Sequence, residues 1–251
     1  MTMWTSLVWA ALGTLFTFLM TTLGAALVFF LPGEPHPHGQ KGLLGFAAGV
    51  MTAASVWSLL LPSIDRAEEL GRYPAWLSAA AGMLLGVVFL AALDAVLPRL
   101  RRGRGESRHT LLMTAITLHN VPEGMAVGLA FALAAGGDGF AGAAALALGI
   151  GIQNFPEGAA ISLPLRQEGR SRLRAFTAGM LSGVVEPLFG VAVVLAAAGA
   201  VPVMPWLLSF AAGAMLYVVV EELIPQAHSR AGTCGFVLGF LVMMVLDVAL
   251  G

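Results

Sequence analysis

His119-Asn120-Val121-Pro122-Glu123-Gly124 and Gln153-Asn154-Phe155-Pro156-Glu157-Gly158 are two versions of one polar insert, each set in an otherwise apolar stretch. Each places a carboxylate, amides and a proline where hydrocarbon is expected. An ionisable group inside a membrane-spanning segment is costly to hold there and therefore marks a functional site. Two copies in neighbouring segments point to one shared polar site.

The surrounding sequence supplies the membrane. Of 251 residues, 58% are hydrophobic and only 11% charged, with a mean hydropathy of +0.87, which excludes an ordinary soluble domain. A helix needs roughly 20 apolar residues to cross a bilayer core. Runs of that kind fall at 4–31, 42–64, 75–98, 110–135, 141–165, 173–199, 205–225 and 233–250. The expectation is an all-α integral membrane protein with eight transmembrane helices and a single membrane domain over 1–251. The first run has no basic n-region and is too long for a signal-peptide core, so it is read as the first span. Cys234 is the single cysteine, which excludes an intramolecular disulfide and a thiolate metal cluster. Nothing in the charge pattern points to a nucleic-acid partner.

Basic residues set the orientation. Arg99, Arg101, Arg102, Arg104 and Arg108 follow the third run, and Arg166, Arg170, Arg172 and Arg174 the fifth; Lys41 and Arg230 lie in the first and seventh loops. Only Arg66 and Arg72 lie in an even-numbered loop. By the positive-inside bias the odd loops are cytoplasmic and both termini outside.

The chain also repeats itself. Phe46-Ala47-Ala48-Gly49-Val50-Met51 with Leu61-Pro62 in the second run matches Phe210-Ala211-Ala212-Gly213-Ala214-Met215 with Ile224-Pro225 in the seventh. Gly86 to Asp94 in the third matches Gly239 to Asp247 in the eighth, and the two inserts pair the fourth with the fifth. The first and sixth runs match too weakly to use. In this topology each matched pair crosses the membrane in opposite directions. Inverted-topology repeats with broken helices near the midplane are a signature of secondary transporters.

Counted from the nearest arginines at 1.5 Å per residue, His119 lies about 16 Å deep, Glu157 about 14 Å, and Glu186 of the sixth run about 18 Å. Three glutamates therefore share one depth in a slab about 30 Å thick. His119 and Glu123 stand i, i+4 on one helix face, as do Gln153 and Glu157, while Asn120 and Asn154 are turned about 100° away. Pro122 and Pro156 leave the carbonyls of Leu118 and Ile152 without their helical partners, which is tolerated where backbone lines a polar cavity. A mixed nitrogen and oxygen donor set suits Zn²⁺, Fe²⁺ or Mn²⁺ and not Cu⁺. Three carboxylates held together away from water cannot all stay charged, so protons are expected in the empty site and metal is expected to displace them.

At these residues the chain resembles the ZIP (Zrt-/Irt-like) family of divalent metal transporters, most of all its compact prokaryotic members. The carrying features are the two inserts, Glu186-Pro187 and Glu221-Glu222-Leu223-Ile224-Pro225. The resemblance implies transport of divalent metal, chiefly zinc with cadmium, iron or manganese as further cargo, into the cytoplasm by rigid-body alternating access. It also implies a binuclear site, one ion held by His119, Glu123, Gln153 and Glu157. The second ion would take Asn120, Asn154 and the same glutamates, with Glu186 bridging. Met51, Ser58 and Asp65 would line the outer access path, and Asp94, Glu221 and Glu222 the release path. Metal is substrate here, with no separate cofactor, and a homodimer in the cell membrane is implied.

Members of the family this chain resembles often carry His where Gln153 stands and some carry Asp where Asn154 stands, so the neutral amides leave the second ion less negative charge. Asp247 is read as a snorkelling residue at an outer span end, and Glu68 and Glu69 as solvated loop. His36, His38 and His228 could capture released metal or simply belong to polar turns. An intramembrane hydrolase is the competing reading, disfavoured by the lone midplane histidine and the absence of His-Glu-x-x-His. Channel-like permeation competes with carrier motion as the mechanism. A membrane metal sensor would need a soluble output domain, for which the eight runs leave little chain.

Overall fold

The computed structural model describes residues 3–30, 37–101, 108–134, 139–167, 169–198 and 201–250, and among them all regular structure is helical. The helices are α1 (Met3–Ala26), α2 (37–70), α3 (Ala75–Arg101), α4 (Arg108–Ala134), α5 (Phe140–Gln167), α6 (172–198), α7 (204–227) and α8 (Arg230–Leu250). Six are long and apolar enough to cross a membrane: Trp4–Phe29, Gly39–Leu70, Ala75–Val96, Arg172–Ala196, Met204–Ala227 and Arg230–Ala249. Their outward faces carry large apolar side chains such as Leu12, Leu84, Leu188 and Val248, the coat that lipid covers. The insert-bearing α4 and α5, of 27 and 28 residues, are as long as these spans.

Glycine sets the packing, because within lipid, helices associate by close van der Waals approach over small residues. A Cβ on Gly49 of α2 would lie 2.0 Å from the Phe236 carbonyl of α8, and one on Gly239 of α8 would lie 2.1 Å from the Phe46 carbonyl. In α7 and α3 the same contacts recur. A Cβ on Gly213 would meet the Met83 carbonyl at 2.1 Å, and one on Gly86 the Phe210 carbonyl at 2.1 Å. These are equivalent positions of the matched sequences, so the α2–α8 pair has the same seam as the α7–α3 pair. In each pair the contacting positions rise together along both chains, so the partners run parallel. The remaining helices pair likewise, α4 on α6 through Gly124 and Gly128, and α1 on α5 through Gly24 and Gly158.

The second repeat feature is a widened turn. α2 is π-helical over Ser55–Leu60 and α7 over Val219–Leu223, each beginning nine residues after its matched phenylalanine. The amides of Leu61 and Ile224 reach carbonyls five residues back, Val56 and Val219. Pro62 and Pro225 come next. A proline ring collides with the carbonyl four residues earlier, and the wide turn moves that carbonyl aside.

Proline acts differently in the inserts. The sequence pattern predicts broken helices there, yet α4 and α5 run unbroken through Pro122 and Pro156. The break lies in α6 instead, at Val184, between Arg172–Gly183 and Val185–Ala198. Pro187 frees the carbonyl of Gly183, and the preceding Ser182-Gly183 pair has little helical preference to resist a kink. The freed carbonyl of α4, Leu118, follows Ile116-Thr117, while that of α5, Ile152, follows Gly151 and its helix still runs on.

Candidate metal site

The two inserts face one another and α6. Asn120, Glu123, Gln153, Asn154 and Glu186 are all fully buried. Gln153 Nε2 donates to Glu123 Oε1 at 2.7 Å, and Asn154 Nδ2 to Glu186 Oε2 at 2.9 Å. Asn120 Nδ2 donates at 3.1 Å to the Ser182 carbonyl, exposed by the break in α6. Glu157 stands close enough to Glu123 and Glu186 for the charges to repel when ionised. Six of the seven metal-site residues read from the sequence therefore come together. The side chain of the seventh, His119, lies outside the described residues, although its backbone is part of α4.

The cluster has more acceptors than donors. Asn120 Oδ1, Glu123 Oε2, Gln153 Oε1, Asn154 Oδ1 and Glu157 Oε1 are buried without a hydrogen-bond partner. Each such oxygen would cost about 1–3 kcal/mol if left so, and a cation satisfies several at once. Among the described residues no three His, Cys, Asp or Glu side chains gather tightly enough to hold a metal by themselves. The described residues offer carboxylate and amide oxygens, a donor set that suits a divalent ion.

Sequence reading missed one wall of the site. Thr14, Thr17 and Thr21 of α1 are fully buried, and Thr21 Oγ1 donates to Glu186 Oε1 at 3.2 Å. Their spacing puts them on one helix face, the signal that could have revealed them.

Toward the far end of α2, a cavity of about 650 Å³ opens among Trp57, Ser58, Asp65, Ala130, Gly142 and Asp247. It contains two of the three residues assigned to the outer path, Ser58 and Asp65. Met51, the third, is only 1% exposed and lies in the closed apolar core beneath, with Val127 and Met215. Asp247 differs from the expectation of a snorkelling residue: it is 9% exposed and accepts a hydrogen bond from Ser58, with Oδ2 left unpartnered. α8 packs along α2, which turns Asp247 inward rather than to the membrane surface.

At the opposite end of the bundle, half-buried Asp94 and Glu222 and exposed Glu221 lie near enough to Tyr217 for their charges to act on its hydroxyl. Nothing in the sequence pattern marks Tyr217. His228 is exposed and its carbonyl accepts from Lys41 Nζ at 3.3 Å. His36 and the side chain of His38 lie outside the described residues.

A sequence model described as ZIP Zinc transporter matches residues 101–247, more than half of the chain. The chain belongs to the ZIP family. Its ZIP relatives include zinc transporter ZIP11 of Homo sapiens, 38% identical over 96% of this chain and 97% of the relative. Zinc transporter GufA of Myxococcus xanthus is 36% identical over 92% and 94% respectively. Zinc transporter ZIPB of Bordetella bronchiseptica is 38% identical over 97% and 82%. ZIP membership and the apolar helices make this a multi-pass membrane protein of a metal-transport family, not an enzyme, and the hydrolase reading falls.

Proposed function

We propose that the protein carries divalent metal ions, chiefly zinc, into the cytoplasm through the buried cluster between α4, α5 and α6. The five unpartnered oxygens of that cluster carry the proposal, because a buried acceptor surplus is what a cation relieves. One ion is assigned to His119, Glu123, Gln153 and Glu157. A second is assigned to Asn120 and Asn154 with the same glutamates and Glu186. Cadmium, iron and manganese are further candidate cargo. Ions enter by the cavity at Ser58, Asp65 and Asp247 and leave past Asp94, Glu221 and Glu222. Protons held in the empty site leave as metal enters.

In this reading α1 to α8 all span the membrane, both termini lie outside, and the matched pairs form inverted repeats. The shared seams of α2–α8 and α7–α3 support the repeat. The bundle divides into α1, α4, α5 and α6, which carry the site, and α2, α3, α7 and α8, which move against them. The closed core between cavity and glutamates favours a gated carrier over an open channel. The protein works in the cell membrane as a homodimer, which cross-linking in the bilayer would detect.

Zinc uptake into proteoliposomes, comparing wild type with Glu123→Gln and Glu186→Gln, tests the site. Loss of uptake is expected in both; normal uptake by both would overturn it. Competition by Cd²⁺, Fe²⁺ and Mn²⁺ in the same vesicles ranks the cargo.

A further inference from the structure

The glycines that end the two inserts identify a counterpart for Glu186. Gly124 lies against the backbone of Glu186 in α6, where an added Cβ would fall 2.4 Å from its carbonyl oxygen. Gly158, at the same place in the other insert, lies against the backbone of Thr21 in α1, at 2.0 Å from its carbonyl. Thr21 thus stands in α1 where Glu186 stands in α6, and Thr17 where Ser182 stands.

The two halves differ for a local reason. Glu186 is followed by Pro187 and α6 breaks, so the Ser182 carbonyl is open to the Asn120 amide. Thr21 is followed by Thr22 and α1 runs on to Ala26. The amide of Asn154, having no such open carbonyl in α1, donates instead to Glu186 Oε2. Thr21 donates to Oε1 at 3.2 Å, its hydroxyl shared with the Thr17 carbonyl one turn earlier at 3.3 Å. Gly183 makes room for this: a Cβ there would come 3.1 Å from both Glu186 Oε1 and Thr21 Cβ. Of the three site glutamates, only Glu186 has a donor on each oxygen, while Glu123 and Glu157 each keep a buried oxygen free.

We propose that Thr21 is a positioning residue of the transport site, holding Glu186 against α1 so that the ion is bound loosely enough to be released. Transport needs binding that is favourable on arrival and weak on departure. A carboxylate engaged by α1 adds charge nearby without adding a full metal–oxygen bond. The proposal rests on the site assigned above.

Thr21→Val keeps the shape and removes the hydroxyl, so Glu186 Oε1 turns to the ion. In zinc uptake by proteoliposomes, KM is expected to fall about tenfold, the worth of one hydrogen bond to a charged group, and Vmax to fall with it. Zinc titration of the purified protein in detergent should show the same tightening, and Thr21→Ser should restore wild-type values in both assays. An unchanged or higher KM in Thr21→Val, or failure of Thr21→Ser to restore it, overturns the proposal. Glu123→Gln measured alongside separates the two readings. If it is inactive while Thr21→Val matches wild type, only the role of Thr21 fails; if it transports normally, the site itself fails.

Discussion

Asn154→Asp is the most discriminating change in the site. It exchanges the Nδ2 donor, 2.9 Å from Glu186 Oε2, for an oxygen. The lost charge-assisted hydrogen bond is worth about 1.5–3 kcal/mol. Two ionised carboxylates about 3 Å apart repel by roughly 5–6 kcal/mol at an effective dielectric constant of about 20. The metal-free variant must therefore either lose several kcal/mol of stability or hold an extra proton between the two groups. A divalent ion between them reverses the sign, since the same two oxygens become a ligand pair. The expected result is a lower thermal midpoint without metal, a larger rise on adding zinc, and more zinc bound per chain at saturation. Differential scanning fluorimetry with and without zinc, and metal analysis after equilibrium dialysis, read these quantities. An unshifted metal-free midpoint together with wild-type zinc content would refute the argument, since Asn154 would then not face Glu186.

Gly49→Ala and Gly213→Ala should each lower the thermal midpoint by a similar amount, since both place a Cβ about 2 Å from a facing carbonyl and overpacking costs about 1–3 kcal/mol. A change confined to one of them would break the equivalence of the two seams. Asn120→Ala strips the Ser182 carbonyl of its donor and should destabilise by about 1–3 kcal/mol, read as a lower midpoint in the metal-free protein. Asp247→Asn keeps an acceptor for Ser58 but removes a charge from the cavity. Zinc uptake should show a several-fold higher KM with Vmax retained, and a Vmax defect instead would place Asp247 elsewhere in the cycle.

The helical class and the polar cluster were legible in the sequence because apolar length and buried charge are properties of composition. The Phe-Ala-Ala-Gly match was legible as a repeat, but that it forms the seams of α2 with α8 and of α7 with α3 was not. What the sequence did not reveal was how each proline would be accommodated. Pro122, Pro156 and Pro187 read alike, yet only the last coincides with a helix break, where the Asn120 amide takes the Ser182 carbonyl. Thr21 stayed hidden because a threonine in a span ordinarily bonds its own helix, as Thr21 also does at the Thr17 carbonyl, and only α6 shows what else it meets. Asp247 was misjudged from its place near the chain end, where depth counted along one helix says nothing of which neighbour it meets.

The π-helical turn of α2 has a consequence for how one helix serves two neighbours. Relative to a regular helix, such a turn adds a residue without adding a full step of rotation, so the faces before and after it fall out of phase by about 100°. Before the turn, Gly45 and Gly49 point to α8; after it, the Ser63 hydroxyl reaches the Pro205 carbonyl at the start of α7 at 2.7 Å. Rewinding Ser55–Leu60 as regular α-helix with no residue removed would turn the Ser63 face about 100° away from α7, whereas deleting one residue there would absorb the wide turn and leave both faces on their partners. The widened turn thus acts as a spline between two meshes, and its copy in α7 lets both crossing helices keep their grip on two neighbours at once.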